Sequence, residues 1–436
     1  MSKMPTTDHL ATRQNALPEA SLEELNSFLD AVANHFGMNW LTAAGENPVQ
    51  VLWGRKDALA TNELLLLGNA LTNLAGQDPK WVEQQVTKAK SSDQGQRNGA
   101  LFELLGLNLF NVAGQTVEPA REDTPGYDGK VTLSDGSCVL LSIKNHGLST
   151  HEQTFRQKAD EVLRAFQVSM RKLNRNGLEI RTIATSHPSY PSWNDLSGSA
   201  DAIIGGTYAT DEGIWSGSIR PLSSEYNPLS DRDTSYTFLL AAPQHENEQK
   251  NFFENIRKGL ANLQKHCASV PSNVCRAILL RLSATASLPQ CQQWAEQYFR
   301  DWPDANVELI LLYQVAPALD PVTGKTMITH CFITVRGPKH AGWKGATEAR
   351  QIRGETLIGK ISNVPLSPIV SGGPSPINLD GFYTFQRGDI FRLYRSADGP
   401  LNLENPAPGV MIHAVTDNLG TLSMRASPTG DLLLLP

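Results

Sequence analysis

Apolar positions recur at helical spacing through the first 92 residues, and after that the chain changes to short alternating runs separated by turn residues. Ser21 with Glu24 has the spacing of a capping box ahead of LNSFLDAVANHF, and two further helices are predicted over 59–76 and 79–90. The polar stretch SSDQGQ (91–96) reads as a joint. Beyond it the pattern predicts a helix over 97–112, strands near 115–121, 127–133 and 138–144, a long helix over 150–175, and strands near 179–186 and 201–205. That order, α-β-β-β-α-β, implies a mixed sheet flanked by helices. From about 235 the pattern continues with a strand (YTFLLAA), a helix (247–268), a strand (277–284), a helix (288–300) and the apolar strands VELILLYQVA and ITHCFITVRG. Past residue 355 the chain is rich in Pro, Gly and Ser, and GFYTFQRGDIFRLYR reads as its clearest strand pair. The organisation expected is an α/β protein in three parts: a helical region (1–92), a mixed-sheet core (93–235), and an α/β to β-rich C-terminal region (236–436) with no assigned role.

Composition narrows the setting. With 436 residues and 40% hydrophobic content, the chain is long enough for more than one core. No run approaches the roughly 18 apolar residues of a membrane helix, and MSKMPTTDHLATRQ has no signal-like apolar stretch, so a cytoplasmic protein with no membrane partner is expected. Cys138, Cys267, Cys275, Cys291 and Cys331 are odd in number and never form CxxC, which argues for free thiols rather than a disulfide framework. The net charge of −6 disfavours indiscriminate binding to an acidic polymer, so any nucleic-acid surface must be local. One candidate stretch runs from Arg156 to Arg181. It holds seven basic residues (Arg156, Lys158, Arg164, Arg171, Lys172, Arg175, Arg181) against three acidic ones (Asp160, Glu161, Glu179).

The segment GYDGKVTLSDGSCVLLSIKNHG (126–147) carries the chemistry. Ser134-Asp135-Gly136 fits a three-residue hairpin loop with the glycine in the left-handed region. In that register Leu133 faces Ser137, Val131 faces Val139 and Gly129 faces Leu141, so one side of the hairpin is apolar throughout. The other side brings Asp128 opposite Ser142, with Lys144 two residues along. A two-residue turn would mix apolar and polar sets on each face, which a half-buried sheet resists. Upstream, GALFELLGLNLF (99–110) is apolar nearly all round and carries one charge, Glu103. A buried carboxylate of that kind needs a partner or a metal.

A helix bearing Glu, a strand bearing Asp, a strand bearing an acid-x-Lys pair and a long helix make up the pattern of the PD-(D/E)XK, or restriction-endonuclease-like, superfamily, which this stretch of about 90 residues resembles. Two positions depart from it: Ser142 stands where an acid is usual, and Gly126 where Pro is usual. The resemblance implies a restriction-endonuclease-like mixed-sheet core and a metal-dependent nuclease acting on DNA. Glu103 and Asp128 would hold Mg²⁺ or Mn²⁺, Lys144 would be the catalytic lysine, and Ser142 would stand beside them. Glu118, Glu122 and Asp123 are nearby acids that can replace the missing one. Gln153, Arg156, Gln157 and Lys158 on the long helix, which Ser149 and Glu152 cap, would touch the nucleic acid. The resemblance also implies a prokaryotic restriction or anti-phage setting, with a homodimer or partner defence proteins. The alternative is a catalytically inactive relative that serves as a nucleic-acid-binding or assembly component.

Other signals carry less. GKT (324–326) lacks the P-loop glycine five residues earlier, where Leu319 stands, and His151-Glu152 and His245-Glu246 lack the second histidine of a zinc protease helix. His266-Cys267 with Cys275, and His330-Cys331, match no zinc spacing. A Ser142/Lys144 nucleophile and base pair is a rival that leaves Glu103 and Asp128 without a role.

Overall fold

A computed structural model describes residues 7–16, 20–111, 115–120, 126–206, 213–221, 236–267, 271, 273–319, 326–338, 360–362, 369–370, 377–378, 381–387, 391–396, 415–417, 420–426 and 433–436. Seven helices come first: α1 (Thr7–Ala16), α2 (Leu22–Phe36), α3 (Met38–Leu41), α4 (Pro48–Gly54), α5 (Ala58–Ala75), α6 (Pro79–Ala89) and α7 (Gln94–Asn108). The Ser21–Glu24 capping box starts α2 as its spacing predicts. Asn47, Asp57, Asp78 and Asp93 cap α4 to α7 through side-chain oxygens that accept main-chain amides. A Cβ on Gly68 of α5 would lie 2.2 Å from the Phe28 carbonyl oxygen of α2. Main chain cannot give way as a side-chain tip can, so Gly68→Ala is expected to cost about 3 kcal/mol in denaturant unfolding. A loss under 1 kcal/mol would contradict so close a crossing.

The remaining elements build two larger sheets and two small ones. The strands are β1 (Thr116–Pro119), β2 (Gly129–Thr132), β3 (Cys138–His146), β4 (Leu178–Ala184), β5 (Trp215–Pro221), β6 (Tyr236–Pro243), β7 (Val274–Leu282), β8 (Leu309–Leu319), β9 (Thr326–Arg336), β10 (Lys360–Ser362), β11 (Ile369–Val370), β12 (Ile377–Asn378), β13 (Phe382–Arg387), β14 (Phe391–Ser396), β15 (Val415–Asp417) and β16 (Gly420–Ala426). Between them run α8 (Thr150–Lys172), α9 (Tyr190–Gly198), α10 (Ala200–Ile204), α11 (Asn247–Cys267) and α12 (Leu288–Asp301). The larger sheet has the order β1-β2-β3-β7-β8-β9-β10, and a second has the order β13-β6-β4-β5. β14 and β15 flank β16 in a small antiparallel sheet, and β11 pairs with β12.

The larger sheet is the middle of three layers. Along β7, Cys275, Ala277 and Leu279 join a core shared with α2 to α7, while Ile278, Leu280 and Leu282 join a core with α11 and α12. Burial on both faces explains why VCRAILLRL is nearly continuously apolar rather than alternating. The core on the first face is continuous from the N-terminal helices to β8. The second sheet is covered by α8, α9 and α10, whose Phe155, Phe166, Trp193 and Ile204 pack on Phe238, Leu240 and Tyr383.

The α/β class and the N-terminal helices agree with the sequence pattern, but the topology differs in three places. β3 does not pair with the strand that follows α8; its parallel neighbour is β7, and β4 lies in the second sheet beside β6. Both sheets therefore draw strands from either side of residue 235. Residues 201–205, expected as a strand, fall mostly in α10, where Ala200, Ile203 and Ile204 are buried at helical spacing. The strand pair expected in GFYTFQRGDIFRLYR forms as two strands in different sheets, since β13 pairs with β6 and β14 with β16.

Candidate active site

The hairpin that carries the site forms in the register set by its alternation. Val131 faces Val139 and Gly129 faces Leu141, and Gly136 takes φ 79° at the last turn position. Leu133 N donates to Ser137 O at 2.8 Å and Gly136 N to Leu133 O at 3.0 Å, while Asp135 Oδ1 accepts the Ser137 amide at 2.8 Å. At the far end the Asp128 amide donates to the Leu141 carbonyl at 2.7 Å, so the ladder ends in a local bend rather than continuing to a direct Asp128–Ser142 pair. A Cβ on Gly129 would lie 2.2 Å from Leu107 Cδ2 on α7, so any larger residue there would displace that leucine tip. The glycine lets α7 lie against the strand that presents Asp128.

Asp128 is the hub. Its Oδ2 accepts the Ile143 amide at 2.5 Å, the Lys144 ammonium at 3.2 Å and the Ser142 hydroxyl at 3.3 Å. Among the described residues Oδ1 has no hydrogen-bond donor, so one oxygen is tied to β3 and the other is free. Lys144 Nζ also donates to the Ile143 carbonyl at 2.9 Å, and the Lys144–Asp128 pair keeps side-chain exposures of only 20% and 22%. Ser142 is fully buried. Its hydroxyl is donated to the Asp128 carboxylate, and no hydrogen bond joins it to the Lys144 ammonium among the described residues.

Glu103 joins from α7. Burial first, and then the Asp128 charge, push its carboxyl up to about 7, while Lys88 of α6 and Lys144 pull the other way. It makes no ion pair or side-chain hydrogen bond among the described residues. The one charge of the apolar stretch 99–110 thus has no dedicated cationic partner, and the groups that act on it are Asp128 and Lys144 of the hairpin and Lys88 of α6. Glu118, one of the possible substitute acids, is exposed on β1 and pairs with Lys130 at 3.4 Å. Glu122 and Asp123 lie outside the described residues.

Among the described residues, no three His, Cys, Asp or Glu side chains converge as a metal site. Two carboxylates still suit a hard divalent ion such as Mg²⁺, which binds through one or two carboxylates and completes its shell with water and substrate oxygens. The free Asp128 oxygen and the partnerless Glu103 are what such an ion would engage.

Lys144 also borders a cleft of about 850 Å³, lined in addition by Asn98, Asn145, Gln153, Arg156 and Arg281 and crossed by residues 433–436. Of the four residues expected to touch nucleic acid, Gln153 and Arg156 line this cleft. Gln157 and Lys158 do not line it, and Lys158 instead pairs with Glu161 and lies over the Tyr190 ring. Much of the basic run is neutralised by neighbours: Arg156 by Glu152, Arg164 by Asp160, Lys172 by Asp201 and Arg181 by Glu179. No helix among the described residues is long and apolar enough to cross a membrane.

No family model, curated protein or solved structure matches the chain. Sequence reasoning missed Arg281 and Asn145, which pair in register across β7 and β3. The available signal was an arginine in an otherwise apolar strand. Arg276, the other arginine of that strand, is held by Glu308 at two of its side-chain nitrogens; Arg281 is not matched in this way.

Proposed function

We propose that this chain is a Mg²⁺-dependent nuclease of the PD-(D/E)XK type that hydrolyses phosphodiester bonds, with DNA as substrate. The observation that carries the reading is the meeting of Asp128 and Lys144 at 3.2 Å beside a partnerless Glu103, at the edge of a cleft whose lining includes no Asp or Glu side chain. Phosphodiester hydrolysis needs a nucleophilic water near neutral pH and neutralisation of the charge that develops on phosphorus oxygens. A bound divalent ion supplies both. In this chain Glu103 and the free Asp128 oxygen would hold that ion, while Ser142 and the Ile143 amide keep the Asp128 carboxylate oriented. Lys144, fixed by Asp128 and the Ile143 carbonyl, places a positive charge where negative charge grows in the transition state. Gln153 and Arg156 line the path of the strand.

Ser142 in the place of an acid favours a second reading, a binding protein without catalysis. Incubating plasmid and linear DNA with the purified chain in Mg²⁺, Mn²⁺ or EDTA separates the two. Cleavage with either metal and none in EDTA is expected. DNA bound but intact under all three conditions would reject the enzyme and favour the binding protein.

A further inference from the structure

Arg281 is the cation of the cleft that makes no ion pair among the described residues. It lies on β7, one strand across from Asn145, the residue after Lys144, and adjacent strands are about 4.8 Å apart. Its guanidinium donates to Asn145 Oδ1 at 3.4 Å and to the Leu435 carbonyl at 3.2 Å, both neutral acceptors. The buried Nε has no partner, and no carboxylate of the described residues lies within ion-pair distance. Glu63 is the acid whose charge reaches it, and burial keeps the Glu63 carboxyl protonated up to about 8. Arg281 itself stays charged at neutral pH, since burial brings it down only to about 10. A cation removed from water without a counter-charge is costly, and a site that retains one gains by taking up an anion.

The surroundings point the same way. None of the residues lining the cleft is Asp or Glu, although the chain carries a net charge of −6. Of its three cations, Lys144 is paired with Asp128 and Arg156 with Glu152, which leaves Arg281 to meet a ligand. The planar guanidinium suits a tetrahedral oxyanion with several acceptor oxygens.

We propose that Arg281 is the phosphate receptor of the cleft and binds a backbone phosphate of the nucleic-acid strand next to the one attacked beside Lys144. The assignment of that phosphate to a strand rests on the nuclease reading. The test is therefore made in EDTA, where cleavage plays no part, so loss of binding and loss of catalysis are read separately.

Fluorescence anisotropy of labelled single-stranded and duplex oligonucleotides, titrated with the full chain at several salt concentrations, gives the result. Arg281→Gln is expected to weaken binding about tenfold and to reduce the salt slope by about 0.7 to 0.9, the value of one phosphate contact. Arg281→Lys should recover part of the loss. Ala284→Glu, which places an anion in the same cleft without altering the half-buried arginine, should weaken binding comparably; it keeps the test decisive if Arg281→Gln unfolds. Inorganic phosphate serves as competitor. Binding within twofold of wild type in a folded Arg281→Gln protein or in Ala284→Glu would overturn the proposal. So would a wild-type protein that binds neither oligonucleotide, or one whose Arg281 site responds to inorganic phosphate alone.

Discussion

Asp128→Asn is expected to abolish Mg²⁺-dependent cleavage while leaving the fold nearly as stable as wild type. The asparagine carbonyl still accepts the Ile143 amide, which Asp128 binds at 2.5 Å, and the Ser142 hydroxyl. Lost are the charge that pairs with Lys144 and the anionic oxygen left for a cation. Asp128→Ala is the harsher change, because it strands the Ile143 amide and the Lys144 ammonium, at about 1–3 kcal/mol for an unmet buried group. Activity is thus expected to disappear in both variants, and stability to fall mainly in the second. Lys144→Ala should lower the cleavage rate by about 100- to 1,000-fold, the range for removing one group aimed at developing charge. Gel assays of plasmid cleavage beside thermal melts make the comparison. If Asp128→Asn cuts as well as wild type, Asp128 is a structural acceptor and nothing more.

Glu103→Gln is expected to stabilise the protein at pH 8 and to do little at pH 5. Burial and Asp128 hold the folded carboxyl's proton up to about 7, whereas an ordinary glutamate releases it near 4.5. The folded state therefore binds more protons than the unfolded chain between those values, and stability falls as pH rises. The contribution is intact below about 4.5 and is lost as pH passes 7. Above that, replacing the charged carboxylate with an amide should gain between about 1 and 3 kcal/mol. Mg²⁺ should remove the same penalty in wild type, raising its melting temperature more at pH 8 than at pH 6, because the ligand must lose its proton to bind. Glu103→Gln should largely lose that Mg²⁺ shift. Glu63, raised to about 8 by burial, adds its own pH dependence in both proteins and cancels in the comparison. A Glu103→Gln protein less stable than wild type at pH 8 would show a carboxylate held by favourable contacts instead of one left exposed to a like charge.

The parts of this site that could be read in the sequence were those fixed by local rules. Alternation along 127–144 and the glycine at 136 determine one hairpin register, and that register brings Asp128, Ser142 and Lys144 together. Glu103 was visible as the single charge in the apolar stretch 99–110. Pairings between distant segments left no comparable trace. The apolar face of α8 (Phe155, Ala159, Val162, Phe166) shows that the helix covers a sheet but not which one, so the step from β3 through α8 to β4 looked like a single crossover unit. Ala200, Ile203 and Ile204 occupy a run too short for period alone to tell helix from strand. β13 finds β6 from some 140 residues away, and the alternation of FYTFQR is the same whichever neighbour it meets. Arg281 was obscured by the apolar strand around it, because its meaning depends on the absence of a carboxylate that only the folded chain can reveal.

The most direct test of the account is the position of a bound metal. Anomalous scattering from a crystal of the protein soaked in Mn²⁺ should show a peak about 2.1 Å from oxygens of both Glu103 and Asp128. A saturated soak with no peak there, or with density only at other residues, would contradict it.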